Sequence, residues 1–136
     1  MGSTLIEQIF ANAPFVQALG IELTAFGAGW CETRIRIVPT QQQQHGFVHA
    51  GVIMTLADHT CGGAAVTMAP DGREVITIEN KVSFLQPAHA SLLLCRAVTL
   101  RAGKRIVFVE ADVKTEAGVL VAKASSTLSF IPVQVR

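Results

Sequence analysis

Several features are missing from this sequence, and each absence removes a class of function. There is no excess of either charge: 11 Lys and Arg face 10 Asp and Glu, for a net charge of +1. No general attraction to nucleic acid follows, and any basic feature has to be local. There is no basic segment leading into an apolar run at the start. MGSTLIEQIF carries Glu7 instead, so it does not read as a signal peptide. No apolar run is long enough to suggest a membrane span, because Asp58, His59 and Arg96 interrupt the candidates. There is no C-x-x-C pair. Cys31, Cys61 and Cys95 are odd in number, and free thiols in a reducing compartment are the simplest reading, so a cytoplasmic protein is expected. Repeats and long linkers are absent, and QQQQ at 41–44 is too short to count as low complexity.

What is present suggests one domain over residues 1–136, with half of the residues hydrophobic and so enough for a single core. Leu5, Ile6, Ile9 and Phe10 have helical spacing, and Pro14 is expected to end that helix. Gly27–Gly29 reads as a turn. Residues 30–38 then alternate as a strand, with Cys31, Thr33, Ile35 and Ile37 on one face and Glu32, Arg34 and Arg36 on the other. From about Ala50 to Met68 small and apolar residues occupy nearly every side of a helix, which implies burial. Strands are expected at Ile76–Phe84, Leu92–Leu100, Arg105–Lys114 and Val119–Phe130. RAGKR and TEAG are the hairpin turns between the later ones. Short connections mean antiparallel neighbours. One buried helix and one long sheet give an α+β two-layer domain, with the sheet curled around the helix.

Asp58 is the anomaly in that helix. Its neighbours along one face are Gly51, Met54, Thr55, Cys61, Gly62 and Ala65, a mostly small set that permits close approach. A buried carboxylate needs partners. Asp58 therefore either fixes packing through hydrogen bonds or does chemistry. The residues before it bear on the choice. Gly46 permits unusual backbone conformations. Ala50 and Gly51 fall in the first helical turn, whose N–H groups lack internal acceptors. Those donors and the helix dipole suit a carbonyl oxygen gaining negative charge. An oxyanion site at one end and a carboxylate further along fit acyl transfer or hydrolysis.

The stretch H-G-x-x-H-A-G-x-x-x-x-L-A-D, from His45 to Asp58, resembles the signature of hotdog-fold acyl-CoA thioesterases of the phenylacetyl-CoA thioesterase (PaaI-like) group. TIENKVSFLQPA, RAGKR and GVLVAKASSTLSF extend the resemblance from about Gly20 to Phe130. It implies a hotdog fold, a long central helix wrapped by a curved antiparallel sheet, paired into homodimers and often homotetramers. It implies an acyl-CoA substrate and no cofactor. By resemblance Asp58 matches the catalytic base or nucleophile, and Ala50, where the family usually has Gly, supplies the N–H that polarises the carbonyl. Gln43 matches a position that is often Asn and helps hold substrate or water. Thr77 matches a hydroxyl facing the carboxylate. His49 looks mainly structural, with Gly46 and Gly51 beside it at the substrate. Arg101, Lys104 and Arg105 around Gly103 match a turn that often contacts coenzyme A phosphates; a solvated basic turn is the plainer reading.

His45 and His59 read as loop and packing residues, and no metal site is expected. Ala50 and Asp58 are eight positions apart on one helix, roughly 12 Å at about 1.5 Å per residue. One thioester carbon cannot be within about 3 Å of both. Two antiparallel helices in a symmetric dimer would solve this. A non-catalytic acyl-CoA-binding module and a hydratase using His49 are the alternatives to hydrolysis.

Overall fold

The computed structural model describes residues 4–134. Helix α1 spans Leu5–Ala11, and its start is a capping box: the Thr4 hydroxyl accepts from the Glu7 N–H while the Glu7 carboxylate accepts from the Thr4 N–H. Pro14 does not end this helix as expected. α1 stops at Asn12, and Pro14 opens a second helix, α2, over Pro14–Leu19. Proline has no N–H to lose at a first helical position, so it starts a helix as readily as it stops one. Gly20 closes α2 in the left-handed conformation, with φ of 83°.

Strands β1 (Ile21–Gly27) and β2 (Trp30–Arg36) form a hairpin over the expected Gly27–Gly29 turn. The sequence reading had not named β1. On β2, Cys31, Thr33 and Ile35 are buried and Arg36 is exposed, as alternation required; the strand stops at Arg36, two residues early. Helix α3 follows at Ala50–Val66, then β3 (Arg73–Phe84), β4 (Leu92–Ala102), β5 (Ile106–Thr115) and β6 (Leu120–Pro132). RAGKR and TEAG are the turns on either side of β5. All strands pair antiparallel in one sheet ordered β1-β2-β4-β5-β6-β3, and α3 packs against every one of them.

The sheet is shaped to take the helix. Register places Cys31, Ala97, Ala111 and Ala124 side by side across β2, β4, β5 and β6, all on the inner face and all buried. This row of small side chains lets the helix backbone settle close. Gly63 of α3 sits on it: a Cβ there would lie 2.7 Å from the Cys31 sulfur. At the same level the Thr60 hydroxyl bonds that of Thr33 across 2.7 Å and also donates to the Leu56 carbonyl, a satisfied polar contact in an otherwise apolar core. Burial pushes the Cys31 and Cys95 thiols up to about 12 and the Cys61 thiol well above its ordinary value, so all three stay protonated.

Two expectations about burial change. α3 is not buried all round: Gly51 and Met54 are exposed and Thr55, Asp58 and Gly62 half-buried, whereas Cys61 and Ala65 turn into the core. The stripe is open because the sheet covers only the other side. Strand β3 does not alternate evenly either. A bulge at Ile78 shifts its pairing with β6, so Val75 and Thr77 face inward before it and Asn80 and Val82 after it. β3 is also an edge strand, and Ile76 and Ile78 are each more than half exposed.

Candidate active site

The first turn of α3 has four N–H groups to satisfy. His49 is the N-cap in extended backbone, and its Nδ1 accepts the Gly51 N–H at 2.8 Å. Its carbonyl accepts from Val52 at 3.0 Å and Ile53 at 3.4 Å. One donor is left over: among the described residues nothing in the chain accepts the Ala50 N–H. His49 therefore acts as a cap, and a lone pair on Nδ1 is committed to that bond. Gly51, expected at the substrate, has its N–H held by the same cap.

Ala50 lines a groove of about 610 Å³. Gln43, Phe47 and Ile53 line one side and Phe84, Leu85 and Pro87 the other. The loop before the helix is braced from within. The Gln43 side-chain oxygen accepts from the His45 and Phe47 N–H groups, and Gly46 holds the tight turn at φ of 82°. Gln43 thus shapes the wall of the groove through its oxygen, and its amide nitrogen has no bond within the chain among the described residues.

Asp58 lies two turns further along α3, on the open stripe. The Thr77 hydroxyl donates to its Oδ1 at 2.9 Å, so the residue paired with Asp58 in the sequence reading is its hydrogen-bond partner. The Ile78 bulge aims that hydroxyl, because it sets which face of β3 carries Thr77. Asp58 is half-buried and does not line the groove at Ala50. The two groups sit at separate places on one side of one helix, roughly 12 Å apart by rise.

Arg101, Lys104 and Arg105 are exposed on the turn between β4 and β5. Ile106 pairs with Ser129, which pairs with Ile76, so this turn is at the Thr77 end of the sheet and away from the groove at Ala50. Sequence reasoning missed a second cleft, beside His59, lined by α1 and α2. α1, which supplies Leu5 and Ile9 to its wall, was expected from the sequence, but how that helix packs beside His59 and Glu74 was not. His59 itself is a packing residue: its Nε2 lies 3.0 Å from the Ile9 carbonyl, and Phe10 meets its ring edge-on. Among the described residues no group of three His, Cys, Asp or Glu is placed to hold a metal ion, and no helix is long and apolar enough to cross a membrane.

Comparison with known proteins agrees with this geometry. The family model of the thioesterase superfamily matches residues 45–122, which include the capped helix, Asp58, Thr77 and the basic turn. A Haemophilus influenzae relative provisionally named an esterase is 30% identical over 93% of this chain and 91% of its own. A 1,4-dihydroxy-2-naphthoyl-CoA hydrolase of Listeria monocytogenes is 25% identical over 83% of this chain and 92% of its own. The crystal structure of a thioesterase family protein from Silicibacter pomeroyi superposes with a TM-score of 0.90, covering 94% of this chain and 96% of that one at 29% identity. The resemblance read from the His45–Asp58 signature therefore holds: this chain belongs to the thioesterase superfamily, and is a hotdog-fold enzyme that hydrolyses thioesters.

Proposed function

We propose that the enzyme is an acyl-CoA thioesterase that works as a homodimer, with each site shared between two subunits. The observation that carries this reading is the separation of the Thr77-held Asp58 from the one unused N–H of α3, at Ala50. Neither can serve the other's carbonyl within one chain. Antiparallel pairing of two α3 stripes would set Asp58 of one chain against the partner's Ala50. The open stripe is small enough for close approach, and the exposed Ile76 and Ile78 on edge strand β3 supply apolar area beside it. Further pairing into a tetramer belongs to the same reading.

In this site the thioester oxygen would take the partner's Ala50 N–H, which gains strength as charge develops in the transition state. Thr77 donates to Oδ1 of Asp58, leaving Oδ2 to accept from water. Water adds to the carbonyl carbon, its proton passes to Asp58, and the thiolate departs and takes a proton. The products are a carboxylic acid and free CoA, and the chemistry needs no cofactor. Antiparallel pairing also puts the basic turn of the Asp58 chain on the same half of the dimer as the partner's groove. That groove would take the pantetheine arm, and Arg101, Lys104 and Arg105 the phosphates. The name of the Listeria relative, a CoA hydrolase, supports CoA as the carrier. Three buried, protonated thiols suit a cytoplasmic setting.

Mixed dimers test the shared site. Asp58→Ala removes the carboxylate. Ala50→Pro removes the N–H, and proline is tolerated in a first helical turn after the extended His49 (ψ 137°). Each homodimer should release little thiol from a panel of aryl- and alkyl-CoA thioesters. Random mixing should restore roughly a quarter of wild-type activity, since about half the dimers are mixed and each keeps one good site of two. Folded mixed dimers no more active than the parents would overturn the shared site.

A further inference from the structure

Strands β1 and β3 are the two edges of the sheet, and an edge carries N–H and C=O groups that no ladder uses. Helices α1 and α2 pack against β1. The β3 edge is 12 residues long and keeps Ile76, Ile78 and Phe84 about half exposed. At its middle stands Glu79-Asn80-Lys81. Glu79 and Lys81 are exposed, and among the described residues neither enters an ion pair. Asn80 turns inward, level with the buried Ser126 of β6. Its Oδ1 is buried and, among the described residues, has no hydrogen-bond partner. A buried acceptor of this kind is costly until a donor reaches it.

A second copy of β3, reversed, answers all three residues at once. Two copies related by a two-fold axis run antiparallel, and residues directly opposite share a face of the sheet. Inner residues therefore meet inner ones, and the axis must pass through a residue and not between two. Centred on Glu79 or Lys81, the pairing sets like charges against each other, which is destabilising. Centred on Asn80, it sets each Glu79 against the partner's Lys81 and brings the two carboxamides together. Each amide can then donate from Nδ2 to the other's Oδ1. Longer slips lose both charge pairs. The same register suits the site. Ile78 is surplus in the pairing with β6. Left surplus again, it brings the inward Thr77 opposite the partner's inward Val82, two residues before the partner's Phe84 at the groove. Asp58, held by Thr77, thereby comes to that groove.

Resting on the homodimer proposed above, we infer that β3 pairs with its own copy in one register centred on Asn80, and that the Asn80 carboxamide is the positioning residue that brings Asp58 to the partner's Ala50. A single buried amide at a symmetric junction fixes register because any slip leaves it unpaired. Asn80 touches no reacting atom in this arrangement. It decides which residues of the two chains meet.

Single cysteines read the register directly. Opposed residues have Cα atoms about 4.5 to 5.5 Å apart, within reach of a disulfide. Asn80→Cys should cross-link most of the dimer on mild oxidation, and the native cysteines are buried and do not compete. Glu79→Cys and Lys81→Cys should not cross-link alone, since each lies two residues along from its own copy, about 8 Å away. Mixed with each other, they should. Glu79→Lys and Lys81→Glu each turn two attractive pairs into repulsive ones, and should raise the dimer Kd about tenfold in sedimentation. Mixing these two chains makes both pairs attractive and should restore dimer and thiol release together. Asn80→Asp, nearly the same shape, puts two carboxylates at the axis and should weaken the dimer by at least about tenfold. Cross-linking of Glu79→Cys or Lys81→Cys alone, or none with Asn80→Cys in a folded dimer, overturns the register and leaves the shared site standing. A wild-type Kd for folded Asn80→Asp overturns the role of the amide. A wild type that releases thiol as a monomer would instead overturn the homodimer reading, and this inference with it.

Discussion

The two faces of α3 are both rich in small residues and have opposite fates. One presents Leu56, Ala57, Thr60, Gly63 and Ala64 to the sheet and is fully packed. The other presents Gly51, Met54, Thr55, Asp58 and Gly62 and lies open. Smallness serves both. On the inner face it brings the backbone onto the row of alanines, close enough that Gly63 has no space for a methyl group against Cys31. On the outer face it leaves a carboxylate reachable from outside. Apolar content alone would not separate them; what separates them is that the sheet reaches one side only.

If that division is real, substitutions on the two faces should fail in different ways. The largest effect is expected from Asp58→Asn on the open face. It keeps size and shape and removes the base, so thiol release should fall by about 10² to 10⁴ with little change in melting temperature. Near wild-type turnover would remove Asp58 from the chemistry. Thr60→Val on the packed face should do the reverse. It strips the Thr33 hydroxyl of its partner in the core, which costs about 1 to 3 kcal/mol of stability in urea unfolding. Turnover per folded molecule should be nearly kept, and Thr60→Ser should restore most of the stability. A loss of turnover without a loss of stability would mean that the packed face reaches the chemistry. The smallest effect belongs to neither face. Replacing Lys104 and Arg105 with Ala should raise KM for CoA thioesters a few-fold, with less change in kcat, because exposed charges are each worth well under about 1 kcal/mol. Added salt should weaken substrate capture by the wild type more than by this variant. An equal loss on short thioesters lacking the nucleotide would show that the turn supports the fold instead.

Much of the inner architecture was legible in the sequence because period and polarity agreed there. Cys31, Thr33 and Ile35 alternate with charge, and the turns around β5 are marked by glycine and charged residues. Asp58 was legible because a charge in an apolar helix is conspicuous. Its partner Thr77 came from the family resemblance; alternation alone would have assigned it to the opposite face from its true inward neighbours Asn80 and Val82. Pro14 was misread because one residue type both starts and stops helices. The cap at His49 could not be read, since which of four adjacent N–H groups remains unused depends on a side-chain rotamer.

The bulge at Ile78 has a consequence for how this site can change over generations. In an unbroken strand every side chain is tied to one odd–even rule, so a one-residue slip at either end would swing Thr77 away from Asp58. Here the rule resets at Ile78: odd positions face inward on the Asp58 half of β3, even positions on the groove half. The two halves are thereby uncoupled in parity. Substitutions and small length changes near Phe84, where the groove is walled, can be tried without disturbing the hydroxyl on the carboxylate. One extra residue thus holds the Asp58–Thr77 hydrogen bond fixed while the groove wall stays free to vary.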